Sequence, residues 1–207
     1  MEITQSKNNT PQLSLKIKAS INSVWDAIRN KEKLLQWHGW DGATLKDEIE
    51  NIYFTDVKEE IKDDRHILVV NGGDTFIVEP AEDATRLTLL RTGLSGDPAW
   101  DEHYDNITEG WVSFIEQLRF MLEYPFSAPR KTTFNTLTLN RDKVIADLGV
   151  IEEKEGAKFS GVFQDEEIAG AVWFSTSNQL GLVIDTWGPG LLIFQFSENS
   201  YIATHLN

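Results

Sequence analysis

Leu13, Leu15 and Ile17 alternate with Ser14, Lys16 and Lys18, the period-two pattern of a strand with one buried face. The period then changes. Ile21, Val24, Trp25 and Ile28 fall at i, i+3, i+4 and i+7, which predicts a helix capped by Ser20 or Asn22 with Trp25 in the core. A second short helix from Lys31 carries Leu34, Leu35 and Trp37 towards the loop Trp37-His38-Gly39-Trp40-Asp41-Gly42. Between Ala43 and Gly93 the pattern predicts no helix. It predicts strands at residues 49–54, 66–71, 75–79 and 85–91, divided by turn signals such as Asn71-Gly72-Gly73-Asp74. They form an antiparallel meander in which Leu87, Leu89 and Arg91 point inward.

Residues 93–106 read as a loop rich in glycine, proline and acidic side chains. Thr108 then caps a helix running to about Tyr124, which Pro125 stops. Trp111, Phe114, Ile115, Leu118, Met121 and Leu122 form its apolar stripe, so Trp111 is expected to face the sheet while Glu116 and Glu123 face water. Ser127-Ala128-Pro129-Arg130-Lys131 reads as a linker between a domain of residues 1–126 and a β-rich extension of residues 127–207 packed on it. The extension has one short helix, residues 141–148, capped by Asn140 and ended by Gly149. Its strands are predicted at residues 158–163, 168–175, 180–186, 191–196 and 201–205. Leader strand, helix and meander thus repeat the order of the first half, and the fold class is α+β.

Charge narrows the partners. Thirty-three acidic against 19 basic residues leave a net charge of −14 in 207 residues, which opposes nucleic-acid phosphates and anionic membranes. The 41% hydrophobic content, with seven Trp and eleven Phe, is too apolar for a disordered acidic chain. Residues 41–64 hold nine acidic and three basic side chains, read as a solvated outer face of the sheet. The most apolar run, residues 168–174, is seven residues long, against the roughly 20 needed to span a bilayer. The first ten residues are polar and hold no secretory h-region. The expectation is a cytoplasmic protein with no nucleic-acid and no membrane partner.

Recognisable catalytic chemistry is scarce. The absence of cysteine removes disulfides, thiolate nucleophiles and cysteine metal sites. His38, His66, His103 and His205 are far apart in the chain, and each reads as a lone surface histidine. Asp97, Asp101, Glu102, His103 and Asp105 meet neither EF-hand nor zinc spacing, so no metal is expected. Neither G-x-S-x-G nor a P-loop occurs, and Gly188-Pro189-Gly190 reads as a turn. Glu59-Glu60 and Glu166-Glu167 place neighbours on opposite strand faces or in loops, where they cannot converge. No catalytic residue and no cofactor is expected. Trp37, Trp40, Phe76, Leu87, Leu89, Arg91, Trp111 and Ile115 are the candidate lining of an apolar cavity between sheet and long helix, with core filling the equal alternative.

Val24-Trp25-Asp26-Ala27-Ile28 with residues 34–40, then Thr85-Arg86-Leu87-Thr88-Leu89, Glu102-His103-Tyr104 and Glu109-Gly110-Trp111-Val112-Ser113-Phe114-Ile115-Glu116-Gln117-Leu118 resemble the activator homologues of the heat-shock protein 90 ATPase. These belong to the START-like, or SRPBCC, superfamily. The resemblance covers residues 11 to about 124. It implies the helix-grip fold, an antiparallel sheet wrapped round a long C-terminal helix, with a cavity that in many relatives holds a hydrophobic ligand. Three functions compete. A non-enzymatic binding protein for a small hydrophobic or amphipathic molecule is the leading expectation. A chaperone-cofactor-like module would select a protein partner with a basic surface. A hydrolase or cyclase would use His38, Arg91 or His103 as acid or base.

Overall fold

Ser20, in extended backbone, accepts a hydrogen bond from the Ser23 amide and opens α1 (Ile21–Arg29). The Asn30 side chain does the same for the Glu32 and Lys33 amides and starts α2 (Lys31–Leu34). Both starts follow from short side chains whose oxygen reaches an otherwise unpaired amide. The computed structural model describes the backbone of residues 1–5, 11–92, 98–124, 129–188, 190–196 and 200–206. It divides the chain into two compact units, Met1–Pro125 and Phe126–Asn207.

The strand expected at residues 49–54 is instead part of α3 (Leu45–Phe54). Leu45, Ile49 and Tyr53 recur every fourth residue and are all buried, so helical spacing prevails over the β-propensity of Ile, Tyr and Phe. The strands of the first unit are β1 (Glu2–Gln5), β2 (Pro11–Ile17), β3 (Lys58–Lys62), β4 (Arg65–Val69), β5 (Thr75–Ala81) and β6 (Ala84–Leu90). They form one antiparallel sheet in the order β1-β2-β6-β5-β4-β3. Register aligns Leu13 with Leu89 and Leu15 with Leu87 on one side, and Phe76 with Leu89 and Val78 with Leu87 on the other. All six are buried, and they make the sheet's inner face.

The long helix α4 (Pro98–Glu123) starts well before the expected cap at Thr108. Pro98 occupies its first position, where a missing N–H costs nothing. From Trp111 to Phe120 every side chain is buried except half-buried Phe114. Glu116, expected in water, is fully buried, with its Oε2 2.8 Å from Arg119 Nε. Pairing one turn apart lets both charges leave water. Glu123 Oε1 accepts the Lys18 amide at 3.0 Å. Trp25 is half-buried, with its ring edge-on to His66 at 5.0 Å.

In the second unit β7 (Lys131–Thr136) starts at the last residue of the expected linker and lies in none of the strands expected from sequence. Asn140 caps α5 (Arg141–Asp147) by accepting the Lys143 amide at 2.9 Å. Gly149 ends it at φ +62°, the left-handed conformation that favours glycine. The remaining strands are β8 (Lys158–Phe163), β9 (Glu166–Ser175), β10 (Gln179–Ile184), β11 (Gly190–Gln195) and β12 (Tyr201–Leu206). The sheet order is β7-β12-β11-β10-β9-β8, all antiparallel. Leu148, Phe159, Val172, Leu182, Leu192, Phe194 and Ile202 are central to its core. A Cβ on Gly161 would lie 2.4 Å from the Leu148 carbonyl carbon, so glycine lets the end of α5 rest directly on β8.

Among the described residues no helix is long and apolar enough to cross a membrane. The stop at Pro125, linker residues Ser127 and Ala128, and the turn at Pro189 lie outside the described residues. So do Asp97 and the side chains of Asp101, Glu102, His103, Asp105 and His205.

Candidate functional site

The turn after α2 carries His38, whose amide is held by the Leu34 carbonyl at 2.8 Å. Gly39 follows at φ +61°, where an added Cβ would lie 2.9 Å from Leu45 Cδ1. This tight glycine turn brings the start of α3 close to His38. The imidazole is 1% exposed, which corrects the expectation of a lone surface histidine. Its Nδ1 lies 3.0 Å from Tyr53 Oη and its Nε2 3.1 Å from Glu48 Oε1.

Donor bookkeeping orients this chain. An ionised Glu48 only accepts, so Nε2 carries the proton given to it, and Nδ1 accepts from the Tyr53 hydroxyl. The hydrogen bond from His38 holds the Glu48 carboxyl below its ordinary value despite partial burial. Burial first, and then the charges of Glu48 and Asp74, push the Tyr53 phenol well above its ordinary value. Tyr53 is therefore a neutral phenol at neutral pH. The chain runs from Glu48, whose side chain is 46% exposed, to a fully buried hydroxyl.

Aromatic rings enclose it. His38 is 5.6 Å from Trp111, 5.2 Å from Phe114 and 5.7 Å from Trp37, measured between ring centres. Phe76 stands 6.0 Å from Tyr53 and 5.5 Å from Trp111. Half-buried Trp40 meets Phe114 edge-on at 5.4 Å. Trp37 Nε1 donates to the Ala27 carbonyl at 2.9 Å, and Arg29 Nη1 to the Tyr53 carbonyl at 2.6 Å. These bonds tie α1, the His38 turn and α3 into one frame.

Of the eight residues expected from sequence, Trp37, Phe76, Leu87, Leu89 and Ile115 are fully buried, Trp111 and Arg91 are nearly so, and Trp40 is half-buried. Trp37, Phe76 and Trp111 gather round His38 and Tyr53, with Leu89 beside Phe76 on the sheet. Arg91 has its own partners. Its Nε is 2.7 Å from Asp74 Oδ2, and its Nη1 donates to Thr108 Oγ1 at 2.9 Å, joining the end of β6 to α4. Sequence reading missed Glu48, Tyr53 and Phe114. The four-residue spacing of Leu45, Ile49 and Tyr53 was the available signal, because a buried tyrosine hydroxyl needs a polar partner.

A hydroxyl, an imidazole and a carboxylate in this order can move a proton. The ring takes the hydroxyl proton and the carboxylate stabilises the imidazolium. Among the described residues no cluster of three His, Asp or Glu could hold a metal ion.

No family model and no curated protein matches this chain. Solved structures resemble it at low identity. One is a protein of the dynemicin biosynthetic locus, 14% identical over 95% of this chain and 86% of that one, with a TM-score of 0.39. Another is the di-domain ARO/CYC StfQ from the steffimycin biosynthetic pathway, 10% identical over 94% and 83%, TM-score 0.35. A protein from Chromobacterium violaceum is 15% identical over 56% of this chain and 98% of its own, TM-score 0.34. They do not single out the activator homologues of the heat-shock protein 90 ATPase. An ARO/CYC is among these structures, against the expectation of a non-enzyme. That expectation rested on missing motifs, and a chain assembled from residues 38, 48 and 53 leaves no motif in the sequence.

Proposed function

We propose that the first unit binds a small hydrophobic molecule beside Trp40 and Phe114 and moves a proton to or from it through Tyr53, His38 and Glu48. The buried His38, engaged at both nitrogens inside a box of aromatic rings, is the observation that carries this reading. Half-buried Trp40 and Phe114 offer apolar area, worth about 25 cal/mol per Å² removed from water. The polar chain offers one directed contact and a route to solvent. In the forward direction a molecule that reaches the Tyr53 hydroxyl, fully buried in the free protein, gives the proton of a weakly acidic C–H to the hydroxyl oxygen. The original phenol proton passes to His38 Nδ1, and Glu48 balances the imidazolium. The raised phenol pKa requires the two transfers to be concerted, because a free-standing phenolate is disfavoured there.

2-Tetralone, an apolar ketone with acidic protons beside its carbonyl, provides the test. Its exchange in deuterated water is followed by proton NMR with the full chain, the Tyr53→Phe variant and the His38→Gln variant. Loss of a general base typically costs about 100- to 10,000-fold, so both variants should fall to the uncatalysed rate. Equal exchange with and without the native protein overturns the reading.

A further inference from the structure

The second unit contains a cavity of about 290 Å³ that the first-unit site does not use. One face of α5 looks into it, because Asn140, Lys143, Val144, Asp147 and Leu148 recur at three- and four-residue steps. Leu137 and Leu139 from the β7–α5 connection, Val162 and Phe163 from β8, Phe194 from β11 and Ile202 from β12 complete the apolar wall. Close contact of the end of α5 with Gly161 fixes one end of the helix on β8. The wall therefore sits on regular elements at both sides.

Two further observations mark its mouth. Leu137 and Val162, both on the lining, are 39% and 50% exposed, unusual for aliphatic side chains next to a formed core. Gln164, also on the lining, is held at φ +50° and followed by Asp165 at φ +65°. This hairpin bend is one that Asn-Gly or Gly-Gly would adopt more easily, and strain retained in a turn is a reason to look for a role there.

We infer that this cavity is a binding site for a small, uncharged, mainly apolar molecule carrying one hydroxyl or carbonyl. Volume sets the size. A cavity of about 150 Å³ accommodates benzene, so about twice that volume takes two fused rings. Charge sets the polarity. The one cation and one anion of the lining neutralise each other, Lys143 Nζ lying 2.7 Å from Asp147 Oδ2. The remaining polar groups are the neutral side chains of Thr138, Asn140 and Gln164, which hydrogen-bond a hydroxyl or carbonyl without asking for a charge. The inference is independent of the proton chain in the first unit.

2-Naphthol has this size, is uncharged at neutral pH and fluoresces when excited beyond tryptophan absorption. Titration of the full ¹⁵N-labelled chain should give saturable binding, with amide shifts confined to residues 137–148 and 162–164 and to those around Phe194 and Ile202. Val162→Glu places a carboxylate at an exposed position on the mouth and should weaken binding at least tenfold. Val144→Trp should fill the space and abolish it. Circular dichroism checks that each variant is folded, and the shift map of the native chain stands without either. Shifts centred on Trp40, Phe114 or other first-unit residues, absence of saturable binding, or unchanged affinity in folded Val162→Glu overturns the inference.

Discussion

The two units run their strands alike and fill the space beside them differently. In each, the first long strand pairs with the last and the meander descends from there, β2-β6-β5-β4-β3 in one and β7-β12-β11-β10-β9-β8 in the other. Beside the first sheet, α1 and α4 touch one another and both touch the sheet. Trp37, Tyr53, Phe76 and Trp111 occupy the interior between them at ring separations of 5.5–6.0 Å. Beside the second sheet stands α5, seven residues long, and a cavity remains next to it. Strand order thus does not decide how the space beside such a sheet is filled. Helix length and side-chain volume decide it, because interiors close only where atoms are available to fill them.

The strongest way to break this contrast is to remove a ring from the aromatic interior of the first unit. Trp37→Ala removes a fully buried indole and should cost about 3–5 kcal/mol of stability. Val162→Ala, at the mouth of the second unit's cavity, should stay within about 0.5 kcal/mol. Urea unfolding of both variants measures the difference, and a Trp37→Ala loss as small as that of Val162→Ala would show the first interior to be loosely filled.

Tightening the second unit in the wrong place should cost less. In Gly161→Ala the added methyl meets Leu148 backbone at 2.4 Å, so α5 must lift off β8. A loss of about 1–3 kcal/mol is expected, together with altered 2-naphthol binding, whereas indifference would mean the helix end is free to move.

Two titrations sharpen the account of the proton chain. Glu48 has its pKa lowered in the fold, chiefly by the His38 hydrogen bond. Its contribution is present above the ordinary value of 4.5 and lost as pH falls through the lowered one. The native chain should therefore exceed Glu48→Gln in stability at pH 7 and converge with it under acid. Tyr53 behaves oppositely, its pKa being raised by burial above 10.0. Above that pH the unfolded chain releases a proton the folded one keeps, so stability falls with rising pH. Tyr53→Phe should flatten this alkaline loss, and ultraviolet absorbance should show one tyrosine resisting ionisation until unfolding. Parallel pH profiles for native protein and variant would remove the burial argument.

The smallest effect concerns the strained hairpin. Replacing Gln164-Asp165 by Asn-Gly relieves two left-handed residues while making the unfolded chain more flexible, a net gain of about 0.5 kcal/mol. Thermal unfolding should show a slight rise, and 2-naphthol should bind more weakly because the shorter Asn amide does not reach as far as that of Gln164.

Local chemistry was enough for the pieces whose partners are near in the chain. Ser20 and Asn140 cap helices, Gly149 ends one, and alternation along residues 11–17 and 158–163 makes strands, because caps, turns and pleats are settled within a few residues. The α+β class followed from these, as did the inward side of Leu87 and Leu89. Tertiary structure decided whatever depended on distant partners. Residues 49–54 became helical because Ile49 and Tyr53 are buried together with Leu45. Glu116 left water because the packing of α4 buried it beside Arg119, whose charge offsets part of the cost. His38 reads as an exposed histidine until Glu48, ten residues away, and Tyr53, fifteen away, close on its two nitrogens. Whether a polar side chain is solvent-facing or part of a site is set by the dielectric and the neighbours around it. Those exist only once the chain has folded.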